Sequence, residues 1–326
     1  MSTGFTPDPA ILFFVFGLAA GLMRSNLEIP PAVSRFLSLY LLMALGLKGG
    51  FALAHSGWDS SVASALGIAV GLAVAVPAAG FLLLRRWLSA FDAAAVAATY
   101  GSVSAVTFIT ATQHLDDLGL AYGGHLAAAM ALMESPAIVM AVLLANWVRR
   151  RQPPAPGAPA VPPARMGHVL HEALTDGAQL LLIGSMVVGL VTGPSGEAAM
   201  KPFTGDLFKG MLSFFLLDMG LTAARHIGGL RGRSPALVGY AVLAPPVHAA
   251  LAAALAAAAG LSAGDGALLM VLAASASYIA VPAVVRHAIP EAQPALYLGM
   301  SLGITFPLNI LVGIPLYTAA AVWVLG

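Results

Sequence analysis

The chain has 326 residues, of which 59% are hydrophobic and only 9% are charged. With a mean hydropathy of +0.89, this composition indicates an all-α integral membrane protein. The net charge of +1 gives no sign of a nucleic-acid partner, and the absence of cysteine excludes disulfides, thiol catalysis and cysteine-ligated metals.

Ten apolar runs, each bounded by proline, glycine or charge, are long enough to predict ten transmembrane helices. In chain order they cover residues 10–23, 32–54, 61–84, 91–112, 122–147, 178–193, 207–224, 235–259, 265–285 and 294–325. Prolines crowd residues 149–165, and such a segment favours an extended linker over a span. We therefore predict a first five-helix repeat over 1–148, a Pro-rich cytoplasmic linker over 149–167 and a second five-helix repeat over 168–326.

The positions of the basic residues predict the orientation, because cytoplasmic loops are enriched in lysine and arginine. Placing the N-terminus outside puts twelve of the 15 basic residues inside: Arg24, Arg35, Arg85, Arg86, Arg149, Arg150, Arg151, Arg165, Arg225, Arg231, Arg233 and Arg286. We expect a multi-pass protein of the plasma (inner) membrane with both termini outside. Five spans in each half would then make the two halves inverted repeats.

The two halves also align in sequence. The stretch DAAAVAATYGSVSAV from Asp92 aligns with DGALLMVLAASASYI from Asp265. The aligned serine pairs are Ser102 with Ser275 and Ser104 with Ser277. Inverted repeats are typical of transporters, whose binding sites lie at the repeat interface and are formed by discontinuous helices.

Small polar residues interrupt the fourth and ninth predicted spans, at 101–104 and 274–277. A span can break its helix only where the freed backbone groups line a cavity or find protein partners. Each second half-helix would begin with unpaired N–H groups and about half a positive charge, so two such ends match a small monoanion. The predicted substrate-binding residues are Gly101, Ser102, Ser104, Thr107, Ala274, Ser275, Ser277 and Tyr278. The alternative is that the serines bond to their own backbone or join helices.

Glu134 suggests a cation site. A carboxylate inside a span is energetically costly, so its presence there indicates a functional role. Carbonyl groups freed at Pro136 and Pro307 would add further oxygen ligands. The predicted Na⁺ ligands are Glu134, Thr305, Ser104 and Ser277. The alternative is a buried, protonated glutamate at a helix kink.

Several segments together resemble the sodium-dependent bicarbonate transporter family, the SbtA type known from cyanobacteria. They are YGSVSAVTF, MESPAIVMAVLLAN, MGLTAARHIGGLR, APPVHA, ASASYIAVPAVVR and AIPEAQPALYLGMSLGITFPLNILVGIPLY. The resemblance implies two inverted repeats, a core domain that moves against a gate domain, a homotrimer, and inward co-transport of Na⁺ with bicarbonate. It maps the anion-holding positions onto Ser102, Ser104, Ser275 and Ser277, and the acidic residue before the proline of the fifth span onto Glu134.

The chain departs from the family pattern at three places. Ala276 and Tyr278 stand where the pattern has a serine-rich run followed by aspartate, and Ala105 and Val106 follow Ser104 where the pattern reads Ser-Gly-Ser. These changes would alter Na⁺ coordination, anion choice or both. The short, proline-rich linker differs from the longer, charged loop of the family, which leaves a PII-like regulatory partner an open question.

We therefore predict a secondary active transporter in the lipid bilayer, not an enzyme, that takes up bicarbonate or a similar small monoanion with Na⁺. The alternatives are a symporter of another small carboxylate, a passive channel, a membrane sensor and an intramembrane serine hydrolase. A channel would need a continuous polar pore, whereas the polar residues cluster at mid-depth. A hydrolase would need a base beside its serine, and the sequence has no G-x-S-x-G elbow.

Overall fold

The computed structural model describes residues 8–57, 60–151, 167, 171, 175–227 and 234–326. Within these ranges the chain is helical and contains no strand. Most of the predicted linker, residues 152–166, lies outside the described residues, as do Arg231 and Arg233.

Twelve helices account for nearly all of this described structure. They are α1 (Pro9–Leu22), α2 (Pro31–Ser56), α3 (Ser60–Leu84), α4 (Ala90–Gly101), α5 (Ala105–Leu118), α6 (His125–Arg151), α7 (Gly177–Lys201), α8 (Phe208–Ile227), α9 (Pro235–Ala258), α10 (Ala263–Ala274), α11 (Ala280–Ala288) and α12 (Pro294–Leu325). Helix α12 contains two π-helical turns, Ser301–Thr305 and Asn309–Gly313, and a third, Pro202–Asp206, follows α7.

Seven helical segments of the described chain are long and apolar enough to cross a membrane. They are Pro31–His55, Ser60–Leu84, Ala90–Leu118, His125–Arg151, Gly177–Ile227, Pro235–Ala258 and Pro294–Leu325. Two shorter apolar helices, Pro9–Leu22 and Ala263–Ala274, accompany them. The chain is therefore a helical membrane protein, as predicted.

The alanine-rich helices α4 and α10 lie at the centre of the fold. From Asp92 to Gly101 every residue of α4 is buried, and the same holds for α10 from Gly264 to Ala274. A helix that is buried on all sides belongs to the interior of a bundle, and alanine side chains let neighbouring helices approach closely. At the periphery α1 packs on α8 and α2 packs on α7.

The two central helices begin with the same capping arrangement. Ser89 and Ser262 are the N-caps, and their hydroxyls accept hydrogen bonds of 3.1 Å from the N–H groups of Asp92 and Asp265. A serine N-cap with an acidic residue three positions later pairs the free N–H groups of a first turn. The sequence alignment of Asp92 with Asp265 thus corresponds to equivalent positions on two helices.

The same aspartates also bind the loops that precede two other helices. Asp92 Oδ1 accepts a 2.8 Å bond from the N–H of Gln293, the N-cap of α12. Asp265 Oδ1 accepts a 2.6 Å bond from the N–H of Gly123, just before α6. Each aspartate therefore ties its half of the chain to the other half.

Arg149, in the last turn of α6, holds the loop before α12. Its Nε and Nη2 donate to the two carboxylate oxygens of Glu291 at 3.0 and 2.8 Å, and Nη2 also donates to the carbonyl of Ala288 at 2.8 Å. This two-point geometry is the favourable one for an arginine and a carboxylate.

The Arg149 to Glu291 pair predicts a pH-dependent stability. Burial opposes ionisation of Glu291, but the hydrogen bonds from Arg149 outweigh it, so its pKa lies below the usual 4.5. A carboxylate with a lowered folded-state pKa stabilises the protein above its unfolded pKa and loses this contribution as pH falls through the folded value. Glu291→Gln is expected to lower Tm at pH 7 by roughly 2 °C, because a partly exposed pair contributes about 1 kcal/mol or less.

Thermal unfolding of the detergent-solubilised protein between pH 7 and pH 3 measures this effect. The difference between variant and wild type should shrink as pH falls below 4.5, the usual pKa. Glu28→Gln, at an exposed position, is the matched control. A Glu291→Gln deficit that is equally large at pH 3 would contradict the assignment.

Candidate functional site

The first predicted break lies between α4 and α5. Helix α4 ends at Gly101, Ser102 is extended (φ −100, ψ −179), and α5 begins after its N-cap, Ser104. The hydroxyl of Ser104 accepts a 3.1 Å bond from the N–H of Thr107. A Cβ at Gly101 would overlap the ring of Pro77 on α3, so glycine allows the end of α4 to approach α3 closely.

The second predicted break lies between α10 and α11. Helix α10 ends at Ala274 and α11 begins at Ala280. Within the break, the hydroxyl of Ser277 accepts a 3.3 Å bond from the N–H of Val281 in the first turn of α11. Both interruptions predicted from the small polar residues are confirmed.

The two breaks are joined to each other by hydrogen bonds. The N–H of Ser277 donates to the carbonyl of Thr99 at 2.7 Å, and the N–H of Ser104 donates to the hydroxyl of Ser275 at 3.0 Å. The Ser275 hydroxyl in turn donates to the carbonyl of Leu272 at 2.9 Å. These groups are buried, where an unpaired main-chain N–H is costly. Each break thus provides an acceptor for a main-chain N–H of the other break.

Asn309, which sequence reasoning did not select, completes the end of α10. It is fully buried, and its Nδ2 donates to the carbonyl of Ala274 at 2.8 Å. Its Oδ1 accepts a 3.2 Å bond from the Tyr317 hydroxyl. The sequence feature that could have identified Asn309 is its amide side chain inside a predicted span, where an unpaired polar group is costly.

Three hydroxyl groups form a short chain across the two breaks. The Thr107 hydroxyl donates to Ser104 Oγ at 2.9 Å, and Ser104 Oγ lies 3.4 Å from the Tyr278 hydroxyl, to which it donates. Since Ser104 Oγ also accepts from the N–H of Thr107, both of its lone pairs are occupied. Within the described structure the Tyr278 proton has no acceptor, so the chain ends in a free donor.

A cavity of about 170 Å³ adjoins both breaks. Its polar lining consists of Ser38, Ser104, Ser277, Tyr278, Glu134, Asp176 and Gln179. Glu134, Ser104 and Ser277, three of the four predicted Na⁺ ligands, therefore line the same cavity. Tyr278 lines it as well.

Glu134 is bonded to Gln179, a residue that sequence reasoning missed. Gln179 Nε2 donates to Glu134 Oε2. The backbone N–H of Gln179 donates to Oδ1 of Asp176, the N-cap of α7, at 3.1 Å. Glu134 thus has a neutral partner and, in the described part of the chain, no lysine or arginine within ion-pair distance.

Thr305 does not line the cavity that holds Glu134, contrary to the predicted pairing of the two residues. Its hydroxyl donates to the carbonyl of Ala241 at 2.8 Å and lies 2.6 Å from the Tyr100 hydroxyl. The Ala241 carbonyl is free because the residue four positions later, Pro245, has no N–H. The Thr305 hydroxyl therefore donates to a carbonyl that a proline on a neighbouring helix leaves unpaired.

Five predicted anion-site residues lie outside the cavity lining: Gly101, Ser102, Thr107, Ala274 and Ser275. All of them except Ser102 make the contacts at or between the helix breaks that are described above. Ser102 differs, because its buried Oγ has no hydrogen-bond partner in the described structure. Leaving a buried hydroxyl unpaired costs about 1–3 kcal/mol, and the assignment of Ser102 to the anion site stays a prediction.

A larger cavity, of about 820 Å³, is lined by residues of α2, α5, α6 and α7, four helices that also line the small cavity. Its charged lining includes Lys48 and Asp116, which form an ion pair of 3.0 Å. On α2, Leu41 and Leu42 line the small cavity and Leu45 lines the large one. The two cavities therefore lie next to each other along α2.

Two broken helices in hydrogen-bonded contact inside a helical membrane protein are typical of secondary transporters. The model of the Na⁺-dependent bicarbonate transporter superfamily matches residues 9–322, and the chain belongs to this superfamily. It is therefore a membrane transporter and not an enzyme. Comparison with curated proteins gives no match.

Proposed function

We propose that the protein is a secondary active transporter that couples the entry of Na⁺ to the uptake of bicarbonate or a similar small monoanion. The observation that carries this proposal is the shared cavity. Hydroxyl groups from both helix breaks and the carboxylate of Glu134 line one space of about 170 Å³. Donors for an anion and oxygen ligands for a cation are thus close together.

The anion would bind to hydroxyl donors and half-helix ends. The first turns of α5 and α11 would each provide about half a positive charge. Tyr278 and Ser277 line the cavity, and their hydroxyl protons have no acceptor in the described structure. Among the described residues no lysine or arginine lines this cavity. Dipoles and neutral donors would therefore hold a single negative charge. Thr107 and Ser275 would position these groups.

The cation would bind at Glu134, with Ser277 as a second ligand. Ser277 Oγ accepts one hydrogen bond, so one lone pair remains. Ser104 Oγ already accepts two, and it would have to release one to bind Na⁺. Thr305 remains a prediction that requires a different conformation. Na⁺ at Glu134 would offset the carboxylate and strengthen anion binding nearby.

Three features support the proposed arrangement of ten spans in two inverted repeats. The segment Gly177–Ile227 has 51 residues, more than twice the roughly 20 that one span needs. Counting it as two spans, and adding the two shorter apolar helices, gives ten. The paired caps at Asp92 and Asp265, and the paired breaks, provide the repeat correspondence. The domain limits 1–148, 149–167 and 168–326 follow from this proposal.

The remaining assignments rest on the sequence and the family resemblance. We place the protein in the plasma (inner) membrane with both termini outside, because this puts most basic residues on the cytoplasmic side. We propose a homotrimer by analogy with the family. A PII-like regulatory partner would depend on the linker, most of which, residues 152–166, lies outside the described residues.

Uptake of labelled bicarbonate into proteoliposomes tests the function. An inward Na⁺ gradient is expected to stimulate initial uptake at least tenfold over an equal K⁺ gradient, with saturation in both Na⁺ and anion. If the ratio is one to one, an imposed potential should have no effect, whereas one uncompensated charge would contribute about 2.3 kcal/mol per 100 mV. Uptake that saturates without responding to Na⁺ would overturn the coupling, and uptake that does not saturate would indicate a channel.

A further inference from the structure

The small cavity offers more space than bicarbonate needs. Its volume of about 170 Å³ corresponds to about six water molecules at roughly 30 Å³ each. Bicarbonate is smaller than this and carries an oxygen on every side. It would leave part of the cavity unfilled, or require accompanying water.

Much of the cavity wall is apolar. Leu41 and Leu42 of α2, Ile109 of α5, Met130 and Ile138 of α6 and Val284 of α11 all line it. An ionic oxygen directed at these side chains would lose its hydration without gaining a hydrogen bond. An alkyl group in the same place would gain hydrophobic stabilisation. The wall therefore favours a ligand with one polar and one apolar end.

The polar lining is suited to a carboxylate. Tyr278 and Ser277 each retain a hydroxyl proton without an acceptor in the described structure, although both oxygens already take part in a hydrogen bond. The two residues are adjacent in the chain, and both line the cavity. Two donors can bind the two oxygens of one carboxylate group.

We propose that this site takes short-chain monocarboxylates, whose carboxylate binds the hydroxyls of Ser277 and Tyr278 and whose alkyl chain contacts the apolar wall. This inference rests on the proposed function and narrows its substrate class. Tyr278 contributes a neutral hydrogen-bond donor to this site.

Competition against labelled bicarbonate, in proteoliposomes with an inward Na⁺ gradient, tests the substrate class. Formate, acetate, propionate and butyrate are added in increasing concentration. Each added methylene is expected to lower the half-inhibitory concentration about fourfold, until the cavity is full. Labelled butyrate should itself show Na⁺-dependent, saturable uptake. Inhibition that is equal along the series, or that weakens with length, would overturn the proposal.

A matched pair of variants tests the location. Ala283 lines the cavity at an exposed position of α11, and Ala254 is an exposed position of α9 outside the cavity lining. Ala283→Leu is expected to lower the ratio of butyrate uptake to bicarbonate uptake about tenfold, whereas Ala254→Leu should not change it. An unchanged ratio in a folded Ala283→Leu protein would contradict this location.

The outcomes separate this inference from the function on which it rests. Na⁺-dependent uptake of bicarbonate without any effect of chain length would refute the inference and leave the proposed function intact. Failure of every tested anion to respond to Na⁺ would count against both.

Discussion

Glu134→Gln is expected to reduce the stimulation of anion uptake by Na⁺ at least tenfold. The substitution removes the negative charge with which Glu134 would bind Na⁺, and it keeps the volume of the side chain beside its neutral hydrogen-bond partner, Gln179. A neutral amide can still offer an oxygen to Na⁺, but without the charge that offsets the loss of hydration. Initial uptake rates at several Na⁺ concentrations in proteoliposomes measure the effect.

The controls for Glu134→Gln address folding and general charge loss. Thermal unfolding and size-exclusion chromatography should show a folded protein, because glutamine can still bond to Gln179. Glu28→Gln removes a carboxylate at an exposed position outside both cavities and should keep the wild-type Na⁺ response. A folded Glu134→Gln variant with a full Na⁺ response would exclude Glu134 as the coupling ligand.

The double variant Ser104→Ala with Ser277→Ala is expected to weaken anion binding roughly tenfold. One hydrogen bond to the charged group, from the Ser277 hydroxyl, is lost and contributes about 1.5 kcal/mol or more, whereas Ser104 acts through Tyr278, to which its hydroxyl donates. The half-saturating anion concentration in uptake assays measures the change.

Ser104 also caps α5, so its loss alone should cost about 1 kcal/mol of stability. Tyr278→Phe removes a cavity hydroxyl without removing a helix cap, and it should weaken anion binding about tenfold. Ser301→Ala removes a buried hydroxyl that bonds within its own helix, to the Tyr297 carbonyl, and serves as the control. Wild-type anion affinity in both the double variant and Tyr278→Phe would remove the proposed anion site.

The sequence predicted the helix breaks because their signals are local. Small polar residues beside Gly101 and Ala274 interrupt apolar runs, and a span can break its helix only where the freed backbone groups find partners. The alignment of Ser104 with Ser277 found two residues that line the same cavity. These inferences depend on composition and spacing alone.

Partners far apart in the chain were not predictable in this way. Gln179 binds Glu134 across 45 positions, and Asn309 binds the Ala274 carbonyl across 35. Thr305 was expected beside Glu134, yet a carbonyl freed by Pro245 on another helix occupies its hydroxyl. Which of several polar residues meet depends on helix packing, and no local pattern encodes it.

Alignment of the two halves of the sequence identified equivalent positions, but residues at equivalent positions do not make the same hydrogen bonds. Ser102 and Ser275 are aligned, but the Ser275 hydroxyl bonds to the opposite break whereas the Ser102 hydroxyl has no partner in the described structure. The hydrogen bonds between the breaks are therefore not symmetric. An aligned residue pair indicates a common place in two repeats, and each residue still needs its own contacts to define what it does.

The bonds between the two breaks also constrain how the polypeptide matures during synthesis. Ser104 reaches the bilayer 171 residues before its partner, Ser275. Until the ribosome has made that later segment, the exposed amide at Ser104 is costly within lipid. The nascent first half should accordingly remain with the insertion machinery or a chaperone, and a prematurely truncated product should be recognised and degraded.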